Sequence, residues 1–173
     1  MADFKIPKDK TAIVLIEPQN DFLSEGGTMY AHIREQLAER HVIANLQELL
    51  TQARGRVAKI FYCPFHPFDP GFPELKKGGP ACEGLRGIEM DMKADWGTGA
   101  WLRGTPGPEI IKELTPQPGD VVVEGKKTLD AFHSTALDYY LRAMRLSMWC
   151  LPDFTRTGVS NHPPVRPMIK ATV

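Results

Sequence analysis

The run Thr11 to Glu17, TAIVLIE, is apolar without alternation. A short unbroken run of this kind suits a strand buried on both faces, as in a parallel sheet, and Pro18 ends it. SEGG (Ser24 to Gly27) is turn-like. From Tyr30 to Arg54 the period changes. Ile33, Leu37, Ile43, Leu46, Leu50 and Ala53 recur at three or four residues, with a longer gap after Leu37, while Arg34, Glu35, Glu39 and Arg40 fill the other face. This pattern predicts one amphipathic helix with Gly55 as its C-terminal stop. VAKIFYC, Val57 to Cys63, reads as a second strand.

An irregular stretch follows from Pro64 to about Pro108, rich in Pro and Gly and holding Trp96 and Trp101. So long a stretch in a compact domain usually carries function or covers a site. Pro106 to Leu114 reads as a short helix with prolines in its first turn, PQPGD as a turn, and Asp120 to Glu124 (DVVVE) as a third strand. Thr135 with Asp138 fits a capping box that opens a helix through Leu137, Tyr140, Leu141 and Met144. The order of strands and helices is that of an α/β fold, an open parallel sheet with helices on both faces. After about Arg145 the pattern stops. The last 28 residues (146–173) have no clear period and carry Pro152, Pro163, Pro164 and Pro167. The expectation is one incomplete domain over residues 10–145, with its last strands missing or disrupted, and an aberrant tail over 146–173.

Composition narrows the function classes. At 173 residues the chain suits one domain. Lys plus Arg is 21 and Asp plus Glu is 21, so the formal net charge is zero and nothing favours nucleic acid or an anionic membrane as partner. The apolar runs are far shorter than the roughly 20 residues of a membrane helix. MADFKIPKDK has no apolar core of a secretory signal, so the expected location is cytoplasmic. Cys63, Cys82 and Cys150 are sparse and form no CxxC pair, which argues against a disulfide framework or a zinc site.

Sites in open α/β sheets gather at the carboxyl ends of the strands. Glu17 closes strand one, His66 follows strand two, and Lys126 with Lys127 follows strand three. GKKT (Gly125 to Thr128) is not a phosphate loop, because Gly119 stands one residue too far back and Lys127 occupies the place of Ser or Thr. His66 and Asp69 lack a third ligand at metal-site spacing. Taken singly, each group also fits a surface or packing role. A carboxylate closing a buried run is the least ordinary, because its desolvation is costly.

Two segments read together are more specific. IEPQNDF (Ile16 to Phe22) resembles the opening signature of the isochorismatase-like cysteine hydrolases, usually I-D-x-Q-N-D-F. KKTLDAFHSTALDYYLR (Lys126 to Arg142) resembles their second signature. The resemblance covers roughly Lys10 to Arg145. It implies a three-layer α/β hydrolase acting on a small amide or related C–N bond through a carboxylate, a lysine and a cysteine, with no cofactor or metal. Glu17 takes the carboxylate position, with one methylene more than the usual Asp, and Lys126 takes the lysine position. The partner implied is a small-molecule substrate, and such hydrolases are commonly homo-oligomers. Phe22, His66 and Trp96 are the substrate-pocket candidates.

The family's third signature, G-x-x-T-N-x-C-V, is not in the sequence, and Cys150 lacks its flanking residues. Restoring one base after the Arg145 codon changes this. Each new codon then combines the third base of one codon with the first two of the next. The junctions of Met148 with Trp149 and of Trp149 with Cys150 must both give valine, and Met168 with Ile169 must give aspartate. The remaining junctions permit V-V-L-T-G-F-H-T-N-W-C-V-E, a strand and loop leading to a cysteine. A frameshift after Arg145 is therefore expected, leaving this chain without hydrolase activity and marginally stable. Two other readings stand beside it: a non-catalytic binding or regulatory isoform, and vinyl-ether hydrolysis of the isochorismatase type, with Glu17 as the key acid or base. A metal-assisted nicotinamidase-like enzyme lacks the expected Asp and His spacing.

Overall fold

The computed structural model describes residues 7–70, 100–128, 130–132, 135–146 and 148–150. Among these described residues, four strands form one parallel sheet: β1 (Thr11–Ile16), β2 (Lys59–Cys63), β3 (Val121–Val122) and β4 (Met148–Cys150), in the order β3-β2-β1-β4. Along β1 and β2 successive side chains enter two different cores. Ile13, Leu15, Ile60 and Tyr62 join one; Ala12, Val14, Phe61 and Cys63 join the other. Burial on both faces is why these strands are unbroken apolar runs.

On the first face lie α1 (Asn20–Leu23), α2 (Tyr30–Glu39) and α3 (Val42–Ala53), which contribute Phe22, Leu23, Ile33, Leu37, Leu46, Leu50 and Ala53. On the second lies α4 (Leu137–Ala143), which contributes Leu137 and Leu141, joined by Leu146. The fold is thus the expected α/β sheet with helices on both faces. Within the described residues no helix is long and apolar enough to cross a membrane.

Several element boundaries differ from the pattern. The single helix expected over Tyr30 to Arg54 is two, broken at His41, whose φ of 48° is left-handed. The break falls in the gap after Leu37 and sets Leu46, Leu50 and Ala53 back onto the core. Gly55, at φ 74°, supplies the stop that was expected. The segment expected to be helical over Pro106 to Leu114 has only a 3-10 turn at Lys112–Leu114. The reason is tertiary: the Pro106 carbonyl closes one turn with the Glu109 N–H, but the carbonyls of Gly107, Pro108 and Glu109 that would continue it accept hydrogen bonds from Asp21, Gln19 and Asn20. The helix expected to open on a Thr135 cap starts after Ala136, which has no side-chain cap; the Thr135 hydroxyl accepts the Leu137 N–H at 3.0 Å, and Asp138 accepts from Arg142 at 2.7 Å. Finally, residues 148–150, expected to hold no readable strand, pair in parallel with Thr11 to Ile13.

Candidate active site

All four strands run the same way, so the groups that follow them emerge at one edge of the sheet. Backbone bonds knit these exits together. The Glu17 N–H donates to the Cys63 carbonyl at 3.1 Å, the Val123 N–H to Tyr62 at 2.7 Å, and the His66 N–H to the Lys126 carbonyl at 2.6 Å. Three loops distant in sequence are thereby held side by side.

At their meeting point the Lys126 ammonium donates to Glu17 Oε1. The pair is buried: Lys126 is 0% exposed and Glu17 7%. Glu17 holds a left-handed backbone, φ 54°, an uncommon conformation for a residue other than glycine, Asn or Asp. Desolvating two charges costs several kcal/mol per ion in order of magnitude. Structures retain such a pair where its charge is used or where every partner is satisfied.

Four aromatic rings close the site from the first face. Phe65 lies beneath Lys126, Nζ standing 4.3 Å from the ring centroid, a cation–π contact in a dry setting. Phe65 stacks on Trp101 at 4.7 Å and 24°, and packs on Phe68 at 5.8 Å. Phe22 meets Trp101 at 5.3 Å. Lys127 stands 4.9 Å from the Phe68 centroid.

The motif after β1 positions this cluster. The Gln19 side chain, 0% exposed, accepts the Phe65 N–H at 2.6 Å and donates to the carbonyls of Phe65 at 2.8 Å and Pro108 at 2.6 Å. Asn20 donates to Pro106 at 2.8 Å. Asp21, also 0% exposed, accepts from the Trp101 N–H at 2.7 Å and from the Thr28 hydroxyl at 2.8 Å. Burial raises the Asp21 pKa, and the hydrogen bonds from Trp101 and Thr28 work against that shift. Gly107 packs so closely on this carboxylate that a Cβ there would collide with Asp21 Oδ2.

Of the residues expected at the site, the structure brings together Glu17 and Lys126. Phe22 enters the aromatic cluster, and His66 joins the Lys126 loop through its backbone. Trp96 lies outside the described residues, as does Cys82. Gln19 and Asp21 stood inside the quoted motif without a role assigned. Phe65, Phe68 and Trp101 carried no signal beyond being aromatic in an irregular stretch. Cys63 is 0% exposed, and burial pushes its thiol up to about 12, with the Lys126 charge opposing. Such a thiol is not a poised nucleophile.

The isochorismatase domain model matches residues 11–148. A ureidoacrylate amidohydrolase of Rhizobium rhizogenes is 28% identical over 140 residues, covering 78% of this chain and 54% of that protein. Its counterpart in Yersinia enterocolitica is 27% identical over 139 residues, covering 79% and 60%. The chain thus spans between half and three-fifths of the length of these curated relatives. Among solved structures, a cysteine hydrolase from Pseudomonas syringae pv. phaseolicola aligns with a TM-score of 0.64 at 24% identity, over 87% of this chain and 62% of that one. N-carbamoylsarcosine amidase from Thermoplasma acidophilum aligns at 0.55 and 22%, over 82% and 66%. At these identities the structural likenesses speak for the fold.

Proposed function

Because the chain belongs to the isochorismatase family, we propose that its Glu17–Lys126 pair is the charged half of a site for hydrolysing a small amide or related C–N bond. The observation that carries this reading is the buried ion pair at the carboxyl edge of a parallel sheet. In the reaction proposed, Glu17 takes the proton of a cysteine thiol and Lys126 favours the thiolate. The sulfur attacks the carbonyl carbon, and the oxygen's developing charge is stabilised electrostatically. The C–N bond breaks as Glu17 returns the proton to the leaving nitrogen. Water, activated by the same carboxylate, then cleaves the thioester. The substrate proposed is a small molecule met in the cytoplasm, and the names of the relatives point to carbamoylated amines and ureido acids.

The thiol is the part this chain does not supply in the expected setting. We therefore propose that residues after about Arg145 are read in a shifted frame and that the chain binds substrate without turning it over. In support, β4 spans the codons from which the restored frame reads its paired valines. A strand is thus wanted at that place in either frame.

The test begins with the nucleotide sequence across the codons for Met144 to Val173. The chain and its base-restored form are then assayed for ammonia release from N-carbamoylsarcosine and ureidoacrylate. Turnover by the restored form alone is expected. Turnover by the chain itself overturns the inactive reading. Bases that forbid the shift, together with ligand binding and no turnover, favour a binding or regulatory isoform.

A further inference from the structure

Trp101 carries two unfavourable features at once. Its backbone is left-handed, φ 54°, which a bulky residue rarely adopts. The residue is 3% exposed, yet its Nε1 has no hydrogen-bond partner among the described residues. Buried donors are nearly always paired, so both features on one residue call for a reason.

The surroundings show that the conformation is imposed. Asp21 takes the Trp101 N–H at 2.7 Å, and the Phe68 N–H donates to the Trp101 carbonyl at 2.8 Å. Phe65 and Phe22 fix the ring at 4.7 and 5.3 Å. Through Phe65 the indole stands one ring away from the Lys126 ammonium. A rigidly held donor in the ring cluster that underlies a buried cation is suited to gripping an oxygen.

We propose that the Trp101 indole N–H is a substrate-binding group, donating to a carbonyl or carboxylate oxygen of the small amide that the Glu17–Lys126 pair serves. The indole is a donor only, so its partner must be an acceptor. This inference rests on the function proposed above and adds to it the residue that orients the ligand.

The test uses binding, so it does not depend on turnover. The 15N-labelled chain is titrated with N-carbamoylsarcosine while its indole N–H signals are followed, the Trp101 signal being assigned from Trp101→Phe. Affinities are measured by calorimetry for the unchanged chain, Trp101→Phe and Lys126→Met. The Trp101 indole proton is expected to move downfield with the binding isotherm, and Trp101→Phe to bind about 5- to 10-fold more weakly, the loss of one hydrogen bond. Binding that Lys126→Met abolishes, with an unmoved Trp101 signal and undiminished affinity in Trp101→Phe, overturns the role of Trp101 and leaves the ion-pair reading standing. No binding by the unchanged chain overturns both. The indole signal is read in the unchanged chain, and should Trp101→Phe fold poorly, Trp96→Phe and Trp149→Phe assign it by elimination.

Discussion

Gln19 and Phe65 exchange two hydrogen bonds, the glutamine amide accepting the Phe65 N–H at 2.6 Å and donating to its carbonyl at 2.8 Å. A side chain on one loop thus treats another loop's backbone as a strand would, across 46 positions of sequence. The ring it sets in place is the one beneath Lys126. Gln19→Ala leaves the two Phe65 groups and the Pro108 carbonyl without this partner, at on the order of 1–3 kcal/mol for each buried group left unpaired. Chemical denaturation is expected to show a loss at the upper end of single-residue effects, whereas a loss below about 1 kcal/mol would mean the loops hold each other without it.

Glu17 and Lys126 are expected to be strongly coupled. Glu17→Gln takes the Glu17 counter-charge from a buried ammonium, and Lys126→Met takes the Lys126 partner from the carboxylate. Each is expected to cost roughly 3–5 kcal/mol. The double variant removes both charges and is expected to recover much of the loss. A double-mutant cycle with additive costs contradicts the pairing.

Asp21 gives the stability a pH dependence of definite sign. Its carboxyl is raised above the ordinary 3.8 by burial, against hydrogen bonds from Trp101 and Thr28. The folded chain therefore binds this proton more tightly than the unfolded chain. The stability that Asp21 contributes is present in full below pH 3.8 and is lost as pH rises through the raised value. Relative to Asp21→Asn, which does not ionise, the unchanged chain should lose stability over that window and run parallel to the variant above it. Urea denaturation from acid to neutral pH checks this, and the opposite slope refutes it.

Cys63 should be inert. A buried thiol pushed up to about 12 holds almost no thiolate at neutral pH. With a small aromatic disulfide reagent, peptide mapping should find Cys63 unmodified in the folded chain and modified in denaturant. Rapid labelling under native conditions would make it a candidate nucleophile after all.

Gly107 is fixed by space. A methyl group there meets the Asp21 carboxylate, so Gly107→Ala should cost about 1–3 kcal/mol as overpacking. The same substitution at Gly119 meets nothing within 4 Å, although its φ of 98° also strains a side chain. Comparing the two variants separates collision from backbone strain.

Of the three strands read from the sequence, Thr11 to Glu17 and Val57 to Cys63 were legible because burial on both faces demands unbroken apolar runs, and Asp120 to Glu124 shortens to Val121–Val122. The helical stretches over Tyr30 to Ala53 and Leu137 to Ala143 were legible because burial on one face demands a period. Glu17 and Lys126 could be picked out because polar groups closing such strands meet at one sheet edge by topology alone, and the two motifs named them together. What lay beyond the pattern was set by contacts across long sequence separations. The Pro106 to Leu114 segment carries a helix signal, yet Gln19, Asn20 and Asp21 take its carbonyls from about 90 positions away. The short strand at Met148–Cys150 exists because β1 offers an unpaired edge; the period of its own residues does not announce it. Local periodicity records which face of an element is buried. Which loop ring lies under an ammonium, and which indole N–H finds no partner among the described residues, are decided only when distant segments pack.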